Sequence, residues 1–159
     1  QMCIRDRSSA AASRLLYETK KAMPDKTVMV YYLGGINSRM PSVDGVEPGM
    51  FVDYAVADYG GTAAPMQGMT VKQCSGMSIE LNRGSGDSSE GTARSKKEAG
   101  YGYYMFFALG HTNSLVSDFS DYRFQVSRCQ SVARGLYDEE LLMPEYYYKK
   151  NDATRYKLP

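Results

Sequence analysis

A chain of 159 residues with 43% hydrophobic content is long enough to build one domain around a buried core. Its 19 basic and 18 acidic side chains are interspersed and leave a formal charge of +1, which excludes a charge-driven nucleic-acid or membrane-surface protein. No apolar run is long enough to span a bilayer as a helix.

Three cysteines, Cys3, Cys74 and Cys129, lie far apart, so neither a disulfide framework nor a metal site is expected, and no cofactor motif is present. Gln1-Met-Cys-Ile-Arg-Asp-Arg7 resembles a translated sequencing adapter. Residues 1–7 are therefore set apart, and the chain is expected to be the tail of something longer.

Residues 9–23 predict a helix in which Ala12, Leu15, Leu16, Thr19, Ala22 and Met23 share one face. Pro24-Asp25 stops it, and 27–33 follow as an apolar strand of the kind buried on both faces. Residues 36–50 hold Pro41, Asp44-Gly45 and Pro48-Gly49 without a helical period, so they predict a loop with room for one short turn.

The run 51–59 alternates. Val52, Tyr54 and Val56 fall on one face, with Asp53, Ala55, Ala57 and Tyr59 on the other, and Gly60-Gly61 end the strand. After an irregular stretch over 60–75, Met77, Ile79 and Leu81 alternate with Ser78, Glu80 and Asn82 in a third strand.

Residues 89–99 predict a short polar helix closed by Gly100. Residues 102–109 form the most aromatic strand, expected to be the most buried, and Gly110-His111-Thr112-Asn113 leave it as a loop. A last helix spans 117–137, with Tyr122, Val126, Cys129, Ala133 and Leu136 at helical spacing. The intervals between strands suit crossovers rather than hairpins, so the fold class is α/β with a parallel sheet.

Polar side chains collect where these strands finish: Tyr31 or Tyr32, Tyr59, Glu80 with Asn82, and His111 with Asn113. In parallel barrels that rim carries the chemistry. Each residue also has an ordinary role: tyrosines cap cores, a buried Glu80 can pair with an arginine such as Arg83, and a lone histidine can simply face solvent.

Four stretches carry a resemblance. They are Leu16-Tyr-Glu-Thr-Lys-Lys-Ala-Met-Pro-Asp-Lys26, Val52-Asp-Tyr-Ala-Val-Ala-Asp-Tyr-Gly-Gly61, Gly100-Tyr-Gly-Tyr-Tyr-Met-Phe-Phe-Ala-Leu109 and Ala133-Arg-Gly-Leu-Tyr-Asp138. In this order they resemble the C-terminal half of a glycoside hydrolase family 18 barrel of the bacterial endo-β-N-acetylglucosaminidase type. The resemblance implies strands five to eight of a TIM (β/α)8 barrel over residues 8–142, with helices five and six replaced by loops, and a C-terminal extension over 143–159.

It further implies hydrolysis of the β-1,4 bond in the GlcNAc-GlcNAc core of asparagine-linked glycans by substrate-assisted, retaining catalysis. In that family the proton donor is the glutamate of an Asp-x-Glu at the end of the fourth strand. Here the only such acids, Asp138-Glu139-Glu140, close a helix, so the fragment alone is expected to be inactive. Tyr59 matches the tyrosine that holds the substrate acetamide and Asp58 and Glu80 match pocket-side positions, while Tyr32, Asn82 and His111 are expected on the substrate side from their places at strand ends. Where relatives often carry an acid after the eighth strand, this chain reads Gly110-His111.

The implied partner is an N-glycan or chitobiose-containing oligosaccharide. The parent is expected to be monomeric and secreted, cell-surface or periplasmic. The alternative is a non-catalytic, chitinase-like carbohydrate-binding protein.

Overall fold

The structure is a computed structural model that describes residues 9–32, 40–58, 60–82, 85–112 and 119–137. Helix α1 runs Ser9–Ala22, free of Gly and Pro, with Lys20 and Lys21 in its last turn where the helix dipole favours cations. Strand β1 (Met29–Tyr32) pairs in parallel with β2 (Tyr54–Ala57), and β3 (Ser75–Glu80) pairs in parallel with β4 (Tyr103–Phe107). Among the described residues one parallel bridge, Ala55 to Cys74, joins the two pairs in chain order. The fold is α/β with parallel pairing, as the strand spacing implied.

The 36–50 connection ends in a helical turn, α2, at Pro48–Phe51, opened by a proline where its missing N–H costs nothing. It takes Phe51 out of the strand, so β2 begins three residues later than the alternation suggested. Just before it, Val43 and Val46 exchange both backbone hydrogen bonds across Asp44-Gly45. Asp44 sits there at φ 52°, in the left-handed region that aspartate tolerates.

Two apolar cores lie on the helix side of the strands. The first gathers Val28, Phe51, Val52, Ala55, Ala57, Met66 and Cys74, with Leu16 and Tyr17 of α1 against it. The second gathers Met77, Ile79 and Leu81 with Ala93 of α3 (Glu90–Glu98) and Val132 of α4 (Phe119–Tyr137). Burying Ile79 and Leu81 completely contributes about 1.5–3 kcal/mol each.

Three expectations change. The buried side of α1 is Ser13, Leu16 and Tyr17, while Leu15 is 63% exposed. The face is rotated because Ser13 donates to the Pro41 carbonyl at 2.6 Å and Lys20 reaches Asp53. Polar anchors, not apolar spacing alone, set the helix roll.

The most buried strand is β3, every residue of it, rather than the aromatic β4. Among the described residues β4 has a strand neighbour on one side only, and its Phe107 is 48% exposed. The loop after β4 closes into a 3-10 turn at Leu109–Thr112, entered through Ala108 at φ 62°.

Candidate functional site

Register fixes which side chains share a face. Tyr31 stands opposite Val56, Ser75 opposite Tyr103, Ser78 opposite Met105 and Glu80 opposite Phe107. A bulge between Ser75 and Ser78 adds one residue to β3, which keeps Ser75, Ser78 and Glu80 together. Met77, Ile79 and Leu81 turn to the helices, as their alternation foretold. Tyr54 and Tyr103 meet edge to face at 5.1 Å on the side away from the helices, tying the two strand pairs into one surface.

That surface opens away from both cores. Met29, Tyr31 and Tyr54 are 55%, 39% and 44% exposed on it.

At its carboxyl edge the strands end in polar groups. Asp58 directly follows β2 and accepts a hydrogen bond from the Tyr31 hydroxyl across the β1–β2 pair. The sequence left Tyr31 and Tyr32 open as the β1 tyrosine; the hydroxyl of Tyr31 makes this contact. Tyr32 closes β1 in register with Ala57, and its side chain lies outside what the structure describes.

Glu80 ends β3 and is only 3% exposed, while Asn82 is exposed two residues on. His111 is half-buried in the turn after β4, its N–H bonded to the Ala108 carbonyl at 3.0 Å. Tyr59 and Arg83 lie outside the described residues. The structure therefore brings Tyr31 and Asp58 into contact, and sets Glu80 and His111 at the ends of the next two strands.

The face beneath this edge is polar in its middle. Ser75 and Ser78 are fully buried, and their hydroxyls find no hydrogen-bond partner among the described residues. No group of three or more His, Cys, Asp or Glu side chains suited to a metal occurs among the described residues. A cleft of about 360 Å³ lies at the opposite, amino ends of the strands, lined by Asp53, Tyr54, Thr70, Lys72, Gln73 and Gly102.

One residue escaped the sequence reading. Arg128 of α4 is 6% exposed and spends all five N–H donors on neutral acceptors. Its Nε donates to Ser88 Oγ at 3.0 Å, and Nη1 to the Glu80 carbonyl at 3.3 Å and Gln125 Oε1 at 3.1 Å. Nη2 donates to the carbonyls of Ser85 and Gly86, both at 2.9 Å. Burial lowers its pKa from the ordinary guanidinium value. In sequence Arg128 is one more polar residue on an amphipathic helix, and nothing in the spacing marks it.

No protein-family model matches the chain. Over 147 residues it is 36% identical to endo-β-N-acetylglucosaminidase F1 of Elizabethkingia meningoseptica, covering 91% of this chain and 42% of that protein. Two crystal structures of Bacteroides thetaiotamicron EndoBT-3987 match it at 42% identity with a TM-score of 0.73. One holds a Man5GlcNAc product and the other a Man9GlcNAc2Asn substrate. The match covers 91% of this chain but 32% and 34% of those chains. The chain thus spans less than half the length of these relatives. Over the matched residues it is similar to endo-β-N-acetylglucosaminidase F1 and to EndoBT-3987.

Proposed function

We propose that this chain is the C-terminal half of a family 18 glycoside hydrolase barrel, strands five to eight, from a longer enzyme that cleaves the chitobiose core of N-glycans. The observation that carries the reading is the likeness to EndoBT-3987, at 42% identity, whose own structure holds a Man9GlcNAc2Asn substrate. Parallel strands joined in chain order, with polar groups at their carboxyl ends, support it.

In this reading residues 8–142 form the barrel portion and 143–159 an extension, and the parent is an exported monomer. The substrate's acetamide oxygen attacks the anomeric carbon, and an acid outside this chain protonates the departing sugar oxygen. Tyr59 supplies a hydroxyl to the acetamide, a preorganised donor where charge develops. Tyr32, Asp58, Glu80, Asn82 and His111 line the substrate side, with the Tyr31 hydroxyl fixing the Asp58 carboxylate. No metal or cofactor takes part. The chain by itself is inactive, because its one Asp-x-Glu falls after α4.

A second reading is a non-catalytic barrel that binds chitobiose-containing glycans. The parent protein incubated with a high-mannose or complex N-glycopeptide decides between them. Release of the glycan with one GlcNAc left on asparagine, seen by mass spectrometry, supports the enzyme. Binding without cleavage supports the lectin-like protein, and neither would remove both.

A further inference from the structure

We infer that Arg128 is a positioning residue for Glu80, holding the carboxyl end of β3 in the geometry that substrate binding needs; this rests on the glycosidase reading above.

Two observations join here. The first is the cost of the arrangement. A full positive charge sits 6% exposed among five neutral acceptors, and an arginine is removed from water at considerable expense unless every donor is answered. A hydrophobic residue would fill the same space between α4 and β3 more cheaply, so the guanidinium is there for what it binds.

The second is which atoms it binds. Three of the five acceptors are backbone carbonyls, of Glu80 itself and of Ser85 and Gly86 in the turn that returns beneath it. The Glu80 N–H in turn donates to the Ser85 carbonyl at 3.1 Å. Both backbone groups of Glu80 are thereby fixed, one by Arg128 and the other by a carbonyl that Arg128 also grips. A planar fork with two parallel N–H pairs fixes direction as well as distance, which a lysine ammonium does not.

The clamped turn is also tight against its surroundings. Gly86 sits at φ 86°, and a Cβ there would lie 2.8 Å from the Ser78 carbonyl oxygen. Gly60, in the turn after β2, abuts it so closely that a Cβ on Gly60 would lie 2.5 Å from the Gly86 nitrogen. Arg128 therefore sets the end of β3 and, through Gly86, the spacing between the turns that follow β2 and β3.

The test uses the parent enzyme and a fluorescent N-glycopeptide, with each variant confirmed folded at the assay temperature by circular dichroism. Arg128→Lys is expected to raise KM about tenfold while kcat stays within about twofold, and Glu80→Gln is expected to do the same. A variant that is merely destabilised loses active protein, which lowers apparent kcat and leaves KM alone. In the Glu80→Gln background, Arg128→Lys should add little further to KM, because the two changes act through one group.

An unchanged KM in folded Arg128→Lys overturns the inference, and so does a KM increase that multiplies fully with that of Glu80→Gln. If Arg128→Lys does not fold, Gln125→Ala, which frees one Nη1 donor, replaces it in the same cycle and is read by the same criteria. A parent that cleaves no glycan defeats the glycosidase reading; a parent that cleaves with all variants at wild-type KM defeats only the role of Arg128.

Discussion

The ammonium of Lys20 stands 2.9 Å from the Asp53 carboxylate, and the same carboxylate oxygen accepts the Val28 N–H at 2.7 Å. Lys20 also donates to the Lys26 carbonyl at 2.8 Å, so one side chain fastens the end of α1, the turn into β1 and the approach to β2. Burial pushes the Asp53 pKa up, but the Val28 N–H and the Lys20 charge together hold it below the usual carboxylate value. A carboxylate with a depressed folded pKa stabilises above its unfolded pKa and loses that contribution as pH falls through the folded one. In the parent, Asp53→Ala should lower stability by about 2 kcal/mol at neutral pH. The gap to wild type should close below about pH 4, read as urea midpoints at several pH values.

Tyr59→Phe removes one hydroxyl and little else. In the parent it should lower the rate of glycan hydrolysis by about one to two orders of magnitude, with the thermal midpoint nearly unmoved. Wild-type rates in the phenylalanine variant would take Tyr59 out of the mechanism.

Gly86→Ala should be costly for the fold. The residue would be forced into the left-handed region with its Cβ 2.8 Å from the Ser78 oxygen and 3.1 Å from the Ile79 Cα. Strain of this kind is worth about 1–3 kcal/mol before any displacement of β3 is counted. Chemical denaturation of the parent and the variant measures it.

The surface carrying Met29, Tyr31, Tyr54 and Phe107 predicts the behaviour of the isolated chain. Apolar side chains 39–55% exposed on one sheet face favour self-association or pairing with a complementary half. Sedimentation of the purified chain should show species larger than its 17.7 kDa mass. A monodisperse, cooperatively unfolding monomer would argue that this surface needs no cover.

The two described cysteines should resist alkylation. Cys74 is fully buried, and burial raises the Cys129 thiol to about 11. At pH 8 only roughly a thousandth of Cys129 would be thiolate, so iodoacetamide should label neither site until the protein is denatured. Peptide mapping of treated native protein checks this.

What was legible in the sequence was what local spacing controls. Met77, Ile79 and Leu81 announced both a strand and its buried side, and Gly100 marked the end of α3. What was hidden depended on atoms distant along the chain. The roll of α1 is set by Pro41 and Asp53, far from Ser13 and Lys20 in sequence. Phe51 left the strand because Pro48 starts a helical turn, a choice that alternation alone does not register. Arg128 meets Glu80, 48 residues away, through a backbone carbonyl, and no residue-type pattern encodes that contact. Among the proposed site residues, strand ends could be found from glycines and alternation. The Tyr31–Asp58 contact needed the register.

Between β2 and β3 the ladder among the described residues is one bridge, and Tyr103 spans the gap instead, its hydroxyl donating to the Ala55 carbonyl at 2.6 Å and lying 3.3 Å from that of Gln73. Each side of that gap has its own strand pair and its own core. Between the two strand pairs stand that phenol, the bridge and loop hydrogen bonds such as Ala63 N–H to the Ser75 carbonyl and Ser78 N–H to the Gly61 carbonyl, both at 3.0 Å, and these can part without unzipping a full ladder. Amide protons of β1–β2 and of β3–β4 should then exchange with solvent through separate openings, at two distinct free energies rather than one. Removing one hydroxyl, in Tyr103→Phe, should drive those two energies further apart.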